Sequence, residues 1–321
     1  MRRGAGLLPE QAGAQRRGRE TSAPNHHYSD MNALLIAMVC LVGLLVPSLV
    51  AASDAACDDP RVLRFALIPK TNAQKQQQEF RPLQVELEKA LQRRVDITTA
   101  PSYGAVIEGL LNDSIDLAEL GPASYAMLLD RKASVSPFAA LSSTGPTGAN
   151  VLGTYRSILI VRSGRGLAGV SDLRNKSLSL TDPASTSGNL VPRRFIQQQM
   201  GQSIGSYFGR ITFAGSHDRS IEAVRKGMVA AGFVSRTRYD EALTAGRVGP
   251  DDLAVLWQSE PLPPDPFVLR NRLCKTVVEK IHRVFFNTEP LRAMLRARGA
   301  ERFIPVTNAD YQVIREMFSE R

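Results

Sequence analysis

The sequence is poor in the residues that most metal and redox centres use. It has three cysteines, four histidines and one tryptophan in 321 residues. No Cys-x-x-Cys, His-Glu-x-x-His or histidine cluster occurs, so the sequence predicts no metal site and no cofactor. No acidic partner for a serine–histidine pair is evident either. The chain is therefore not predicted to be an enzyme.

Aromatic residues are also scarce, at 6% of the chain, while the net charge is +9. A nucleic-acid-binding surface would need a basic stripe with interleaved aromatic residues. The lysines and arginines are instead scattered through amphipathic segments, so no nucleic-acid partner is predicted. A basic surface does raise the local concentration of small anions.

One long apolar run is present, at residues 33–51. Its length is near that of a membrane helix, but it ends in small residues, Val50-Ala51-Ala52-Ser53, as at a signal-peptide cleavage site. The sequence thus predicts an N-terminal extension and signal segment over residues 1–52 and export to the periplasm. Met31, directly before the run, is an alternative start. An uncleaved membrane anchor is the competing interpretation.

Removal of that segment would take Cys40 with it and leave Cys57 and Cys274. An even pair of cysteines in an exported chain favours a disulfide. Two unrelated thiols are the alternative, because Cys57 lies near the N-terminus of the exported chain.

From residue 60 onward, short apolar runs alternate with segments of helical spacing. Val62–Ile68 alternates like a strand, and Glu79–Leu91 carries apolar residues at helical intervals. Such alternation predicts an α/β fold with parallel sheets.

Two breaks divide this alternation. Ser142–Gly153 is rich in Gly, Ser, Thr and Pro, and Glu260–Pro266 contains four prolines. We expect two lobes joined by two crossing segments. The first lobe would combine residues 60–150 with 260–321, and the second would span 155–258.

Three consecutive hydroxyl residues, Ser185-Thr186-Ser187, stand where a predicted strand ends and a helix over Thr186–Met200 begins. A helix N-terminus has unpaired N–H groups and a partial positive charge, which together favour an anion. An ordinary N-cap needs only one hydroxyl. The run therefore predicts an anion site.

Two other loops precede predicted helices in the same way. Gly215-Ser216-His217 offers an imidazole that can donate to an oxyanion or stay neutral. The Gly121-Pro122 turn would present backbone N–H groups near a cleft. By itself, a lone histidine is more often structural, and such a turn is a common connection between a strand and a helix.

Together the three loops resemble those of the phosphonate/phosphite/phosphate-type periplasmic substrate-binding proteins of ABC transporters. The resemblance extends over residues 60–318, and Ser185–Pro192, Gly215–His217 and Pro264–Pro266 carry it. It implies a type II periplasmic-binding fold, with two α/β lobes that close on a ligand. It also implies a small phosphorus oxyanion as ligand, an ABC permease as partner, and a monomer.

The resemblance assigns ligand-binding roles by position. Ser185, Thr186 and Ser187 would hold the phosphorus-bound oxygens. Tyr103 and Tyr155 would flank the ligand, and His217 would donate from the second lobe. Asp265 matches an acidic position that faces the amine in aminoethylphosphonate binders.

One departure bears on the ligand. The companion acid of those amine binders should fall near Thr237, where no carboxylate stands. A tail-less oxyanion is therefore favoured, with phosphite, methylphosphonate and phosphate as candidates. The neighbouring Arg236 and Arg238 are expected on a solvated surface. A ligand-sensing module for a membrane signalling partner is the alternative function.

Overall fold

The computed structural model describes residues 57–144 and 150–319, so the predicted signal segment and the Met31 start lie outside the described residues. Its strands are β1 (Val62–Leu67), β2 (Arg94–Thr99), β3 (Leu117–Glu119), β4 (Val135–Thr144), β5 (Asn150–Leu152), β6 (Ser157–Arg162), β7 (Ser177–Leu180), β8 (Arg210–Phe213), β9 (Ala231–Ser235), β10 (Leu253–Gln258), β11 (Phe267–Arg270) and β12 (Phe303–Pro305).

The helices alternate with these strands along most of the chain. They are α1 (Ala73–Leu91), α2 (Tyr103–Leu111), α3 (Pro122–Asp130), α4 (Val191–Met200), α5 (Ile204–Tyr207), α6 (His217–Arg225), α7 (Arg236–Thr244), α8 (Lys275–Phe286), α9 (Arg292–Ala297) and α10 (Gln312–Ser319). A π-helical turn, Thr186–Leu190, leads into α4, and 3-10 turns occur at Val170–Leu173, Glu289–Leu291 and Asn308–Tyr311.

The strands form two sheets. The first has the order β12-β4-β11-β3-β1-β2, with β5 paired to β4, and the second has the order β10-β6-β9-β7-β8. All strands of the second sheet lie between Ser157 and Gln258, whereas the first sheet takes strands from both sides of that segment. We call each sheet with its helices a lobe. The predicted α/β fold of two lobes joined by two crossing segments is confirmed.

Both sheets are mixed, so the expectation of parallel sheets was wrong. β1 pairs in parallel with β2 and β3, and β7 with β8 and β9. β11 pairs antiparallel with β3 and β4, and β6 pairs antiparallel with β9 and β10. The reason is the connectivity, because β11 enters the first sheet on the return from the second lobe and runs against its neighbours.

The two crossing segments pair with each other. Tyr155 N donates to Leu262 O at 3.1 Å, and Leu262 N donates to Tyr155 O at 2.8 Å. Ser259 N donates to Ser157 O at 2.9 Å, which extends the pairing towards the second sheet. The prolines around Leu262 fix φ and leave few donors. The connection between the lobes is therefore short and held by few backbone hydrogen bonds.

Helix α1 shows how sequence pattern and packing agree in the first lobe. Its buried face carries Phe80, Leu83, Leu87 and Leu91 at helical intervals. The helix begins six residues earlier than its apolar spacing predicted, because Asn72 caps it by accepting a hydrogen bond from Lys75 N at 3.1 Å. This packing fixes the end of β1, from which the chain runs towards the other lobe.

The predicted disulfide is present. Cys57 and Cys274 are joined across a sequence separation of 217 residues. Asp58 N donates to Arg272 O at 2.7 Å, and Cys274 N donates to Asp58 O at 2.9 Å. The beginning of the described chain is thereby held beside the start of α8.

Candidate ligand-binding site

The hydroxyl run lies at the end of β7, where the chain turns into the π-helical turn. Ser185 is the N-cap, and its Oγ accepts from Gly188 N at 3.1 Å. Thr186 and Ser187 are 2% and 1% exposed. Within residues 57–144 and 150–319, the hydrogen-bond network gives the backbone N–H groups of Thr186 and Ser187 no acceptor. Buried N–H groups of this kind at a helix start suit an oxyanion.

The first turn after the run is π-helical, whereas the sequence predicted a regular helix from Thr186. Thr181 N donates to Gly188 O at 3.0 Å, which draws the turn onto β7. A Cβ on Gly188 would lie 2.2 Å from Thr181 Oγ1, so only glycine fits there. Ser157 Oγ donates to Ser187 O at 2.6 Å from β6. The donor-bearing backbone is thus fixed by its own sheet.

The first lobe contacts this backbone through the starts of two helices. Ala123 N, in the first turn of α3, donates to Thr186 Oγ1 at 2.9 Å, and Ser124 Oγ donates to Ala184 O at 2.9 Å. At the start of α2, Tyr103 N donates to Asp182 Oδ2 at 3.3 Å. The helix starts of both lobes therefore meet at the hydroxyl run.

The two predicted tyrosines also lie there. The Tyr103 hydroxyl lies near Ser185, and the Tyr155 hydroxyl lies near Thr186 and Ser187. Burial, followed by the negative charge of Asp265, raises the pKa of both phenols above the usual value. Both hydroxyls stay protonated and can donate to an anion.

His217 begins α6 and is buried beside β9. Its Nδ1 accepts from Ser235 N at 3.1 Å and lies 3.0 Å from Thr181 Oγ1. Because Nδ1 accepts, the neutral ring carries its proton on Nε2. Burial, followed by the positive charge of Arg238, lowers the pKa of His217 to about 3. The residue is therefore a neutral donor over the physiological pH range.

We expect His217 to show no titration between pH 5 and pH 8, because its charged form would lose solvation and face Arg238. Imidazole NMR shifts followed over that range, with the signal assigned by His217→Gln, would measure this. A His217 midpoint near 6.5, the value of a solvated histidine, would contradict the assignment of a neutral donor.

Asp265 lies on the second crossing segment within a group of charged side chains. Its Oδ2 is 2.5 Å from Lys70 Nζ, and the same Nζ is 2.8 Å from Glu119 Oε1. Glu119 is fully buried and also accepts from Arg298 NH2 at 3.0 Å. The sequence reasoning missed Lys70 and Glu119. Two signals were available in the sequence. Lys70 follows shortly after a buried strand, and Glu119 is the last residue of an apolar strand.

One of the two arginines beside Thr237 does not lie on the solvated surface that the sequence predicted. Arg236 is exposed, as predicted, and so is Thr237, but Arg238 is buried. Its guanidinium bonds Asp218 Oδ1 at 3.1 Å. Pairing with a carboxylate offsets the desolvation cost of burying an arginine. Asp218 Oδ2 also accepts from Thr71 Oγ1 at 2.8 Å, so this pair joins the two lobes.

A cavity of about 1090 Å³ opens next to this contact and holds none of the seven predicted site residues. Both lobes line it, and its basic side chains outnumber its acidic ones; they are Lys75, Arg210, Arg219, Lys226 and Arg247, against Asp218 and Glu222. Such a surface attracts anions from solution. The buried donors at the hydroxyl run do not line this cavity.

The letters Gly201-Gln202-Ser203-Ile204-Gly205 match the Gly-x-Ser-x-Gly pattern of hydrolases. That pattern places its serine on a sharp turn between a strand and a helix. Here Ser203 follows helix α4, is exposed, and caps α5 by accepting from Ser206 N at 3.1 Å. The match does not form a nucleophile elbow.

The described residues contain neither a metal-binding cluster nor a membrane-spanning helix. No group of three or more His, Cys, Asp or Glu side chains in 57–144 and 150–319 could hold a metal ion. Over the same ranges, none of the helices combines the length and the apolar character needed to cross a bilayer.

A family model described as ABC transporter, phosphonate, periplasmic substrate-binding protein matches residues 65–311. The chain belongs to this family. The phosphonates-binding periplasmic protein of Escherichia coli is 29% identical over 295 residues, which are 89% of this chain and 85% of that protein. The phosphate-import protein PhnD of Mycolicibacterium smegmatis is 27% identical over 280 residues, covering 80% and 85% of the two chains.

Solved structures of other binding proteins have the same fold as this chain. PhnD1 from Prochlorococcus marinus, in complex with methylphosphonate, superposes with a TM-score of 0.69 at 22% identity, covering 82% of this chain and 98% of that one. A binding protein component of an ABC phosphonate transporter from Pseudomonas aeruginosa gives 0.73 at 23% identity, covering 81% and 86%. The type II periplasmic-binding fold is confirmed. The chain is thus a periplasmic substrate-binding protein that serves an ABC permease.

Proposed function

We propose that this chain captures a small phosphorus oxyanion, either a phosphonate, phosphite or phosphate, and presents it to its ABC permease. The observation that carries the proposal is the pair of buried backbone N–H groups at Thr186 and Ser187. The hydroxyls of Tyr103 and Tyr155 lie near the same hydroxyl run. The relatives named for phosphonates and for phosphate support the same ligand class.

The ligand-binding set comprises seven residues from both lobes and both crossings: Tyr103, Tyr155, Ser185, Thr186, Ser187, His217 and Asp265. The first six supply neutral donors. Charge-assisted hydrogen bonds in a dehydrated site contribute about 1.5–3 kcal/mol each. A few such bonds, less the cost of ordering and desolvation, are compatible with affinity near the micromolar range, about −8 kcal/mol.

Capture proceeds by closure of the lobes, with boundaries at 60–150 plus 260–321 and at 155–258. The paired crossings at Tyr155 and Leu262 act as the hinge. Closure is favoured only to the extent that the ligand binds the closed form better than the open one. The hydrogen bonds from Ala123 and Tyr103 to the second lobe are the contacts that closure makes.

The same geometry argues against catalysis. In a serine–histidine pair the acid orients the ring by accepting from Nδ1–H. The Nδ1 of His217 instead accepts from Ser235 N, so no acid holds that position. The chain is proposed to be a binding protein and not a hydrolase. The family match favours transport over the sensing alternative.

Calorimetric titration of the purified protein with phosphite, methylphosphonate, phosphate and sulfate tests the proposal. At least one phosphorus oxyanion is expected to bind at micromolar concentration or below, with sulfate weaker by about tenfold or more, equivalent to 1.4 kcal/mol. Absence of binding for all three phosphorus oxyanions would refute it.

A further inference from the structure

One ammonium group beside the oxyanion donors is shared between two carboxylates. Lys70 Nζ lies 2.5 Å from Asp265 Oδ2 and 2.8 Å from Glu119 Oε1. The Lys70 side chain is 13% exposed and that of Asp265 is 25% exposed. The three groups are far apart in the sequence and converge from the loop after β1, from β3 and from the second crossing segment.

This group of charges lies next to the hydroxyl run. The point where a Cβ on Gly121 would sit is 3.4 Å from Thr186 Oγ1 and 3.9 Å from Asp265 Oδ1. The charge of Asp265 also contributes to the raised pKa of Tyr103 and of Tyr155. A carboxylate in this place faces the same small volume as the donors to the oxyanion.

A free carboxylate there would attract a cationic group carried by the ligand. Lys70 already satisfies it, and Arg298 binds the second carboxylate at Glu119 Oε1, 3.0 Å away. Two cations therefore already pair with Asp265 and Glu119, and Arg298 also lies 3.6 Å from Glu79 Oε2, which is partly exposed. A ligand ammonium would have to displace Lys70 or remain as an extra cation, and a buried extra charge without a partner is costly.

We infer that Lys70 determines specificity: its ammonium group occupies the carboxylate of Asp265 from within the protein, so that the site accepts tail-less phosphorus oxyanions and rejects amine-bearing phosphonates. This inference rests on the proposed function. It names the substrate class as small phosphorus oxyanions without a cationic tail.

The test compares methylphosphonate with 2-aminoethylphosphonate by calorimetry, in the wild-type protein and three variants. The wild type is expected to prefer methylphosphonate by about tenfold or more. Lys70→Gln frees Asp265 and should shift the ratio of the two dissociation constants towards the amine by about tenfold, equivalent to 1.4 kcal/mol. The double variant Lys70→Gln with Asp265→Asn should return to a preference like that of the wild type, because the freed carboxylate is gone.

Asp265→Asn alone keeps Lys70 and removes its partner, so it should preserve or increase the preference for methylphosphonate. This variant decides the question if circular dichroism shows that Lys70→Gln does not fold. A relative gain for the amine in Asp265→Asn contradicts the inference.

Failure of this inference can be distinguished from failure of the proposed function. If the wild type binds methylphosphonate but Lys70→Gln leaves the ratio within about twofold of the wild-type value, the inference is wrong and the proposed function stands. The inference is also wrong if the wild type binds both phosphonates equally. If no phosphorus oxyanion binds the wild type, both fall together.

Discussion

Replacing Thr186 with valine is expected to weaken oxyanion binding by about 10- to 100-fold, corresponding to the 1.5–3 kcal/mol of a hydrogen bond to a charged group. Valine keeps the shape and removes the hydroxyl. Thr186 Oγ1 accepts from Ala123 N at 2.9 Å and lies near the Tyr155 hydroxyl. The variant therefore loses a ligand donor and leaves a buried N–H of the first lobe without its acceptor.

Calorimetry with the ligand that binds the wild type most tightly measures this effect. Thr244→Val is the matched control, because Thr244 is exposed in the last turn of α7 and its hydroxyl donates to Asp240 O of the same helix. Thr186→Ser keeps the hydroxyl and should retain most of the affinity. A Thr186→Val protein that binds like the wild type would show that the ligand lies elsewhere.

Removing the disulfide with Cys57→Ser and Cys274→Ser should lower the free energy of unfolding by about 4 kcal/mol, since cross-links that close long loops restrict the unfolded chain most. The sequence separation between these cysteines is 217 residues. Urea denaturation followed by circular dichroism measures the change. Ligand affinity should be unaffected, because the bridge ties the N-terminal segment to α8 within the first lobe.

Reduction of the wild type with dithiothreitol is the internal control for this prediction. It should lower stability to the level of the double variant and have no effect on the variant itself. A difference in unfolding free energy below about 1 kcal/mol would mean that the contacts of Asp58 with the α8 start hold the segment without the bridge.

Local pattern was enough to predict much of the fold. Strand β1, Val62–Leu67, lies where the alternation of Val62–Ile68 predicted a strand. Strand β4, Val135–Thr144, was missed, because its serines, alanines and Pro137 have low strand propensity. Pairing with β11 and β12 on its two sides stabilises it instead. The strand directions also depend on the return crossing, which no local window contains.

The candidate site also has a part that local sequence predicts and a part that depends on tertiary structure. The hydroxyl run could be identified because its chemistry is contiguous in the sequence. The partners of charged residues could not, since burial of Arg238 depends on Asp218 and the state of Asp265 depends on Lys70. Each of these pairs is brought together by tertiary structure, and residue type alone does not distinguish a solvated arginine from a buried one.

The convergence of helix starts has a consequence for the transport cycle. Each helix N-terminus carries roughly half a positive charge, and α3 and the π-helical turn into α4 approach one another when the lobes meet. Without an anion between them, closing the lobes would bring like partial charges together, which opposes closure of the empty protein. An oxyanion supplies the missing counter-charge. A permease that docks on the closed form would therefore engage loaded copies in preference to empty ones.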